Sequence, residues 1–268
     1  MPATETGGSG ELELIEEAAR RAGAIALEYF GDDPRTWLKE GSSPVSEADM
    51  AVDGFLAETL LTARPGYGWL SEETADDHAR LDKRRVFIVD PIDGTRAFLA
   101  GADEWTVVIA VIEDERPIAS AVYNPVREEM FLAADGAGAW LNGERLAVSA
   151  HATLKGARLV GPHSIIDDSR AGAAGFIPSG VIRSLAYRLA FVAAGRAEAA
   201  AARARAHDWD LAAADLLVQE AGGRLTDLAG QGLRYNRRAI RHPELAASSE
   251  ALIDPVCRAI AAIVGPKT

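Results

Sequence analysis

Residues 89–95 read Val-Asp-Pro-Ile-Asp-Gly-Thr, directly after an apolar run at 86–88. The apolar run predicts a buried strand, so Asp90 and Asp93 fall at the end of that strand. Two carboxylates on a stiff turn suit a hard cation that takes oxygen ligands, and Mg²⁺ is such a cation. The stretch therefore predicts both a strand-to-turn transition and a metal site.

The residues around these acids sharpen the turn. Pro91 interrupts strand pairing, and Gly94 permits a backbone conformation that most residues resist. If the segment Thr95–Leu99 is helical, its free N–H groups face the metal, where an anion such as phosphate would bind. The plainer alternative is an Asp-Pro turn that caps a helix.

Composition limits the function classes. The chain has 268 residues, 48% of them apolar, with a net charge of −12 and a pI of about 4.9. This balance argues against a general nucleic-acid or membrane-surface binder. Cys257 is the only cysteine, which excludes an intrachain disulfide and favours a reducing compartment. No signal-peptide core opens the chain and no run reaches ~18 apolar residues, so we predict a cytoplasmic protein.

The first half of the chain predicts two helices and an antiparallel sheet. Met1 to Gly10 is interpreted as a flexible tail. A Gly/Pro/Ser stretch at Gly41–Pro44 separates the two helices. Asn142-Gly143 predicts a hairpin turn. The helices are predicted over Glu11–Phe30 and Ser46–Ala63, and the strands over Trp69-Leu70, Thr106–Ile112, Pro117–Tyr123 and Glu129–Ala133.

The second half alternates helices with strands and predicts a mixed or parallel sheet. Strands are expected at Leu159–Gly161 and Arg224–Asp227, and helices over the Ala-rich segment Leu185–Ala202, over Leu211–Ala221 and over Pro255–Val264. A soft boundary near Ser149 divides the chain into a tail at 1–10, an N-terminal half at 11–149 with most metal ligands, and a C-terminal half at 150–268.

Five acids stand at the ends of predicted elements: Asp49, Glu72, Asp90, Asp93 and Asp210. Each also has a local explanation. Asp49 could form a capping box with Ser46, Glu72 could lie in a solvated loop, and Asp210 could be a helix N-cap. Asp90 and Asp93 could belong to the Asp-Pro turn described above. Carboxylates ~4 Å apart repel by ~4 kcal/mol at an effective dielectric of about 20. A converging set therefore requires divalent cations, and two metals about 3.5–4 Å apart could activate water against a phosphoryl group.

A covalent route has no support in the sequence, since it contains no G-x-S-x-G, and the five histidines show no spacing such as H-E-x-x-H.

The motifs, in this order, resemble the inositol monophosphatase superfamily of Mg²⁺-dependent, Li⁺-sensitive phosphomonoesterases. The resemblance runs from about residue 12 to 265 and rests on S-E-E at 71–73, V-D-P-I-D-G-T at 89–95 and W-D-L-A-A-A-D-L-L-V-Q-E-A-G-G at 209–223, with weaker matches at 43–49 and 133–143. It implies an α/β (α+β) fold, the layered αβαβα sandwich of the inositol monophosphatase and fructose-1,6-bisphosphatase type. It also implies two or three Mg²⁺ ions, inhibition by Li⁺, and a homodimer.

The resemblance assigns roles to individual residues. Glu72, Asp90 and the carbonyl of Ile92 would hold the first metal. Asp90, Asp93 and Asp210 would hold the second, and a third, weaker metal would use Glu72. The catalytic water would be oriented by Thr95 paired with Asp49 and activated by Glu72 and the metals. Phosphate would be bound by Asp93 and the N–H groups of Gly94 and Thr95.

The substrate is less strongly indicated. The segments 43–49 and 101–111 look more like 3′(2′),5′-bisphosphate nucleotidases, and Arg203 stands where inositol phosphatases usually carry a Glu. An arginine binds a second phosphate well. Arg188 lies near a place where nucleotidases tend to carry a Lys, whereas Arg183–Ala186 departs from the Gly-Ser-Ala-like segment that lines the pocket of inositol phosphatases. Arg203 and the basic stretch Arg234–His242 could equally face water.

Three functions follow. The first is hydrolysis of a 3′(2′),5′-bisphosphate nucleotide such as adenosine 3′,5′-bisphosphate. The second is hydrolysis of inositol 1-phosphate or a related small ester such as histidinol phosphate. The third is a regulatory, protein-binding role. The expected ligand is a small phosphorylated molecule, with neither a nucleic-acid polymer nor a membrane as partner.

Overall fold

A computed structural model describes residues 9–32, 34–39 and 44–265. Residues 1–8 of the predicted tail and residues 41–43 of the Gly/Pro/Ser stretch lie outside this described part. Ser9 and Gly10 belong to the first helix rather than to a tail. None of the helices in the described ranges is both long and apolar enough to cross a membrane.

Among its described residues, the N-terminal part contains three α-helices, α1 (Ser9–Tyr29), α2 (Glu47–Ala63) and α3 (Thr95–Leu99), and a short 3-10 helix at Ala79–Asp82. A small antiparallel pair is formed by β1 (Thr36–Leu38) and β2 (Pro44–Ser46). Seven strands build the first large sheet in chain order: β3 (Gly68–Ser71), β4 (Arg85–Asp93), β5 (Thr106–Glu113), β6 (Arg116–Asn124), β7 (Glu129–Ala134), β8 (Gly138–Leu141) and β9 (Glu144–Arg145). All neighbouring pairs except β3–β4 are antiparallel, as the sequence predicts.

The C-terminal part contains a five-stranded mixed sheet and five helices. The strands are β10 (Arg158–Val160), β11 (Ile177–Pro178), β12 (Ala199–Ala202), β13 (Gly223–Asp227) and β14 (Leu245–Ser249), in the order β11-β10-β12-β14-β13. The helices are α4 (His163–Ile166), α5 (Ser169–Ala173), α6 (Leu185–Ala193), α7 (Asp208–Glu220) and α8 (Ile253–Val264).

Alternation along the strands stacks these elements into five layers. In β4, Phe87 and Val89 join the core with α1 and α2, whereas Val86 and Ile88 face α6 and α7. The second sheet repeats this division: the even-numbered alanines of β12 face α6 and α7, and the odd-numbered ones face α8. The order α1/α2, first sheet, α6/α7, second sheet, α4/α5/α8 confirms the αβαβα sandwich.

One predicted helix is wrong. The segment Leu185–Ala202 is not a single helix, because α6 ends at Ala193 and Ala199–Ala202 forms strand β12. Gly195 turns the chain at φ +64. Alanine favours helices in isolation, but β12 is buried on both faces between two helical layers, where small side chains allow close packing. The pairing of β12 with β10 and β14 therefore outweighs intrinsic propensity.

Other local predictions are confirmed with shifted ends. The turn at Asn142-Gly143 joins β8 to β9 with φ of +49 and +87, as a type I′ hairpin requires. Helix α7 begins at Asp208, three residues earlier than predicted. Strands β11 and β14 and helices α4 and α5 have no counterpart among the predicted elements. The division into halves at 11–149 and 150–268 stays a prediction, since α6 and α7 pack on both sheets.

Candidate active site

The candidate site is a cavity of about 800 Å³ at the end of β4. Its wall is acidic at one end and mostly basic elsewhere. The lining residues are Pro44, Glu72, Asp90, Asp93, Gly94, Thr95, Arg96, Glu104, Pro162, His163, Ser164, Val181, Arg183, Arg188 and Asp210. The four predicted metal-binding acids thus meet in one cavity, namely Glu72 after β3, Asp90 and Asp93 on β4, and Asp210 on α7.

The end of β4 forms the turn that the sequence predicts. Pairing with β5 runs to Asp90, skips Pro91 and Ile92, and resumes at Asp93 opposite Thr106. The backbone N–H of Ile92 donates to Asp90 Oδ1 over 3.1 Å, which fixes that carboxylate inside the irregularity. Both aspartates are thereby held on the same short, rigid stretch of backbone.

Gly94 has a φ of +95 and is tightly enclosed. A Cβ at this position would lie 3.1 Å from the carbonyl oxygen of Glu104 and 3.2 Å from the backbone nitrogen of Ser184. A side chain is therefore excluded by both conformation and space. The helix expected over Thr95–Leu99 follows directly as α3.

Three carboxylates form the centre of the acidic end. Asp90, Asp93 and Asp210 each offer an oxygen within 4.8 Å of the others. Burial, followed by the charges of neighbouring acids, raises the pKa of Asp90 and of Asp210 well above the usual range. Such a set of hard oxygen donors fits a divalent cation, because the cation would relieve both the repulsion and the burial.

The buried carboxylate of Asp93 is partly stabilised by hydrogen-bond donors that the sequence analysis did not identify. Its Oδ2 accepts hydrogen bonds of 2.7 Å from both the Ser184 hydroxyl and the Ala186 N–H. Burial still raises the pKa of Asp93, although these donors oppose the shift. The only sequence signal for Ser184 is its place in the segment 183–186, which the resemblance assigns to the pocket.

Glu72 lines the cavity but lies outside the close set of three. It follows β3, and Asp53 fixes the flanking chain by accepting hydrogen bonds from Ser71 Oγ and Thr74 Oγ1 at 2.5 and 2.8 Å. The Lys39 ammonium lies 3.6 Å from Glu72 Oε1 and partly neutralises the charge of that carboxylate. Burial nevertheless raises the pKa of Glu72.

Thr95 and Asp49 are brought together as expected. Thr95 Oγ1 lies 3.3 Å from Asp49 Oδ1 and 3.1 Å from the Ile92 carbonyl oxygen. The other oxygen of Asp49 accepts from the Ser46 N–H at 2.8 Å, so the predicted capping box also exists. Burial raises the pKa of Asp49 to about 6. This aspartate therefore caps α2 and touches the candidate site at once.

Asp210 has the same local role in α7. It is the third residue of the helix rather than the N-cap, and its Oδ2 accepts from the His207 N–H at 2.6 Å. The basic stretch 234–242 lies behind this helix start. His242 Nε2 lies 2.7 Å from Asp208 Oδ1, and Arg241 contacts His207. Within the described chain, no residue of this stretch lines the cavity.

The two arginines predicted to set specificity differ in position. Arg188 lines the cavity but is buried, and its guanidinium donates to the carbonyls of Ile182 and Ala201. Burial lowers the pKa of Arg188 to about 10, opposed by the charges of Asp93 and Asp210. Arg203 follows β12, bonds to Ser164 at 3.2 Å and does not line the cavity. Its specificity role stays a prediction.

Known proteins resemble this chain over nearly its whole length. The profile of the inositol monophosphatase family matches residues 11–263. An inositol-1-monophosphatase from Rhizobium meliloti is 34% identical over 84% of this chain and 88% of its own. A histidinol-phosphatase from Mycobacterium tuberculosis is 37% identical over 82% and 88%. The crystal structure of extragenic suppressor protein suhB from Bartonella henselae superposes with a TM-score of 0.83 at 30% identity, covering 94% of this chain and 98% of that one.

Proposed function

The chain belongs to the inositol monophosphatase family and is a phosphoric monoester hydrolase, and from this premise we propose that it is a Mg²⁺-dependent phosphatase of a small phosphate ester. One observation supports the metal dependence above all. Three carboxylates, those of buried Asp90 and Asp93 and of half-buried Asp210, converge within 4.8 Å at the end of a ~800 Å³ cavity, where they fit a divalent cation.

We propose that Glu72, Asp90 and the Ile92 carbonyl hold one Mg²⁺ and that Asp90, Asp93 and Asp210 hold a second, with a third, weaker ion at Glu72. When bound, such ions supply positive charge to the phosphoryl oxygens and lower the pKa of a water. We also propose inhibition by Li⁺, as the family resemblance implies.

The remaining chemistry belongs to the chain's own groups. Glu72 and the hydroxyl of Thr95 orient the attacking water, and Asp49 accepts the hydrogen bond that fixes that hydroxyl. The N–H groups of Gly94 and Thr95 bind the phosphate, next to Asp93, which would hold a metal ion. A glycine is needed at position 94 because its φ of +95 and its packing against Glu104 and Ser184 leave no room for a side chain in this turn.

For the substrate, we propose a 3′(2′),5′-bisphosphate nucleotide such as adenosine 3′,5′-bisphosphate. Beyond the acidic end, the cavity wall carries one acid and four basic side chains, which favours a ligand with more than one anionic group. The basic side chains are Arg96, His163, Arg183 and Arg188. A second candidate is inositol 1-phosphate or histidinol phosphate, supported by the relatives named for those activities. We propose a cytoplasmic location, since the lone cysteine forms no intrachain disulfide.

Phosphate release with Mg²⁺, with and without Li⁺, tests this function. The substrates are adenosine 3′,5′-bisphosphate, inositol 1-phosphate, histidinol phosphate and fructose 1,6-bisphosphate. Mg²⁺-dependent release that Li⁺ suppresses is the expected result, and the preferred ester decides between the two candidates. Absence of Mg²⁺-dependent release from all four would contradict the proposal and favour a protein-binding role.

A further inference from the structure

An ion pair stands on the cavity wall beside the metal-binding end. Arg183 Nη1 donates to Glu104 Oε1 over 3.2 Å, and both residues line the cavity. The arginine side chain is about half exposed, at 48%, and that of the glutamate is 24% exposed. An ion pair this open to water contributes little to stability, so its partners can exchange at small cost.

This pair adjoins the proposed phosphate position. The backbone of Gly94 is in close contact with Glu104 on one side and with Ser184, the neighbour of Arg183, on the other. Because Arg183 lines the same cavity as Gly94 and Thr95, it can contact another part of an ester whose phosphate is held at those two residues.

Arg183 also has hydrogen-bond donors to spare. An arginine offers five N–H donors in a planar fork. Those of Arg188 bond to two backbone carbonyls, and burial holds them there. In the described chain, the side chain of Arg183 hydrogen-bonds to Glu104 alone, through one nitrogen. It can therefore receive a phosphate bidentately, which a carbonyl-bound guanidinium cannot do.

We propose that Arg183 determines specificity by binding a second phosphate of the substrate, and that Glu104 occupies Arg183 when the substrate has none. The inference rests on the proposed phosphatase function. A phosphate dianion competes with the single charge of Glu104 for the guanidinium, whereas a hydroxyl does not. The pair thus acts as a filter that favours bisphosphate esters, whether the second phosphate is on a nucleoside or on a sugar.

The test compares matched substrates that differ by one phosphate. Adenosine 3′,5′-bisphosphate is compared with adenosine 3′-monophosphate, and fructose 1,6-bisphosphate with fructose 1-phosphate, so that the two arms separate nucleotide from sugar recognition. Arg183→Gln is expected to lower the bisphosphate-to-monophosphate ratio of kcat/KM about 10- to 100-fold, mainly through KM. Glu104→Gln removes the competing carboxylate and is expected to raise that ratio several-fold.

Arg84→Gln serves as the matched control. Arg84 is exposed, pairs with Glu113 at 2.9 Å and lies outside the cavity, so the variant loses the same charge elsewhere. Its ratio should equal that of the wild type. Equal ratios in Arg183→Gln and wild type would overturn the inference, as would a wild type that hydrolyses monophosphates as well as bisphosphates. Both outcomes leave the phosphatase standing, whereas a wild type without Mg²⁺-dependent release refutes the proposed function itself.

Discussion

The hydroxyl of Ser184 donates to Asp93 Oδ2 over 2.7 Å and thereby joins two residues 91 positions apart. Ser184 Oγ also accepts from the Tyr187 N–H at 3.0 Å, which caps α6, and lies 3.0 Å from Thr106 Oγ1 on β5. One buried hydroxyl therefore connects the proposed metal site, the first sheet and the middle helical layer. Loss of this hydroxyl should affect both metal binding and folding.

Ser184→Ala is expected to lower the free energy of unfolding by about 1–2 kcal/mol, since it removes a helix cap and a buried hydrogen bond. It should also weaken Mg²⁺ binding about 10-fold, because Asp93 loses a donor that orients it. Urea unfolding with and without Mg²⁺ measures both effects. Ser248→Ala, which removes another buried hydroxyl bonded to Glu198 O, should lose stability but keep the Mg²⁺ response. An unchanged Mg²⁺ response in Ser184→Ala would contradict the orienting role.

Asp210→Asn is expected to reduce turnover about 10²-fold or more, because it removes a ligand charge from the proposed second metal. The amide oxygen can still accept from the His207 N–H, so α7 should stay capped. Without metal, the variant should be at least as stable as wild type, since it lacks a partly desolvated charge that neighbouring acids repel. The rise in melting temperature on adding Mg²⁺ should disappear, whereas Asp215→Asn, further along the same helix, should retain it. Full turnover in Asp210→Asn would exclude Asp210 as a ligand.

Thr95→Ala should lower kcat by about 10²-fold while changing KM much less, because the hydroxyl orients the attacking water rather than holding substrate. Thr95→Ser keeps the hydroxyl that contacts Asp49 and should recover most of the rate. Steady-state kinetics on the best substrate of the panel separates the two parameters. A raised KM with an unchanged kcat would assign Thr95 to substrate binding instead.

The pair Glu198–Arg158 predicts a pH dependence of stability. Hydrogen bonds from Arg158, one of them 2.7 Å long, hold the pKa of Glu198 at about 2, below the ordinary 4.5. The unfolded chain therefore binds the proton more readily. The stabilisation is complete above pH 4.5 and is lost as the pH falls toward 2. Urea unfolding should show that the free energy of unfolding falls less steeply between pH 4.5 and 2 in Glu198→Gln than in wild type.

Glu250→Gln is the control for this prediction, because Glu250 is 71% exposed and its pair with Arg224 spans 3.5 Å. In this variant the free energy of unfolding should fall with pH as steeply as in wild type. An equally steep fall in wild type and Glu198→Gln would show that the pair with Arg158 does not contribute to the pH dependence of stability.

Local signals predicted the parts of the site that lie within a few residues of one another. The strand, the turn at Gly94 and the helix after it follow from 86–99 alone. The capping box of Asp49 was equally visible. One carboxylate oxygen of Asp49 caps the helix and the other contacts Thr95, so the capping box is confirmed and the catalytic role of Asp49 stays a prediction.

Contacts between distant segments had no such signal. Glu104 and Arg183 are 79 residues apart, and nothing near either one predicts that they pair. The sequence instead drew attention to Arg203, which bonds to Ser164 but does not itself line the cavity. The alanines of β12 were misassigned for a related reason, since only the two helical layers around them decide that small residues form a strand there.

The middle layer has a kinetic consequence, because α6 and α7 supply Ser184 and Asp210 to acids carried by β4. Hairpins such as β8–β9 close over a few residues and should form early in refolding. The carboxylate set closes over more than a hundred residues, so its formation is entropically costly and should come late. During refolding, Mg²⁺ binding should thus return only when α6 and α7 have packed against the first sheet. Mg²⁺ binding would then indicate that folding is complete.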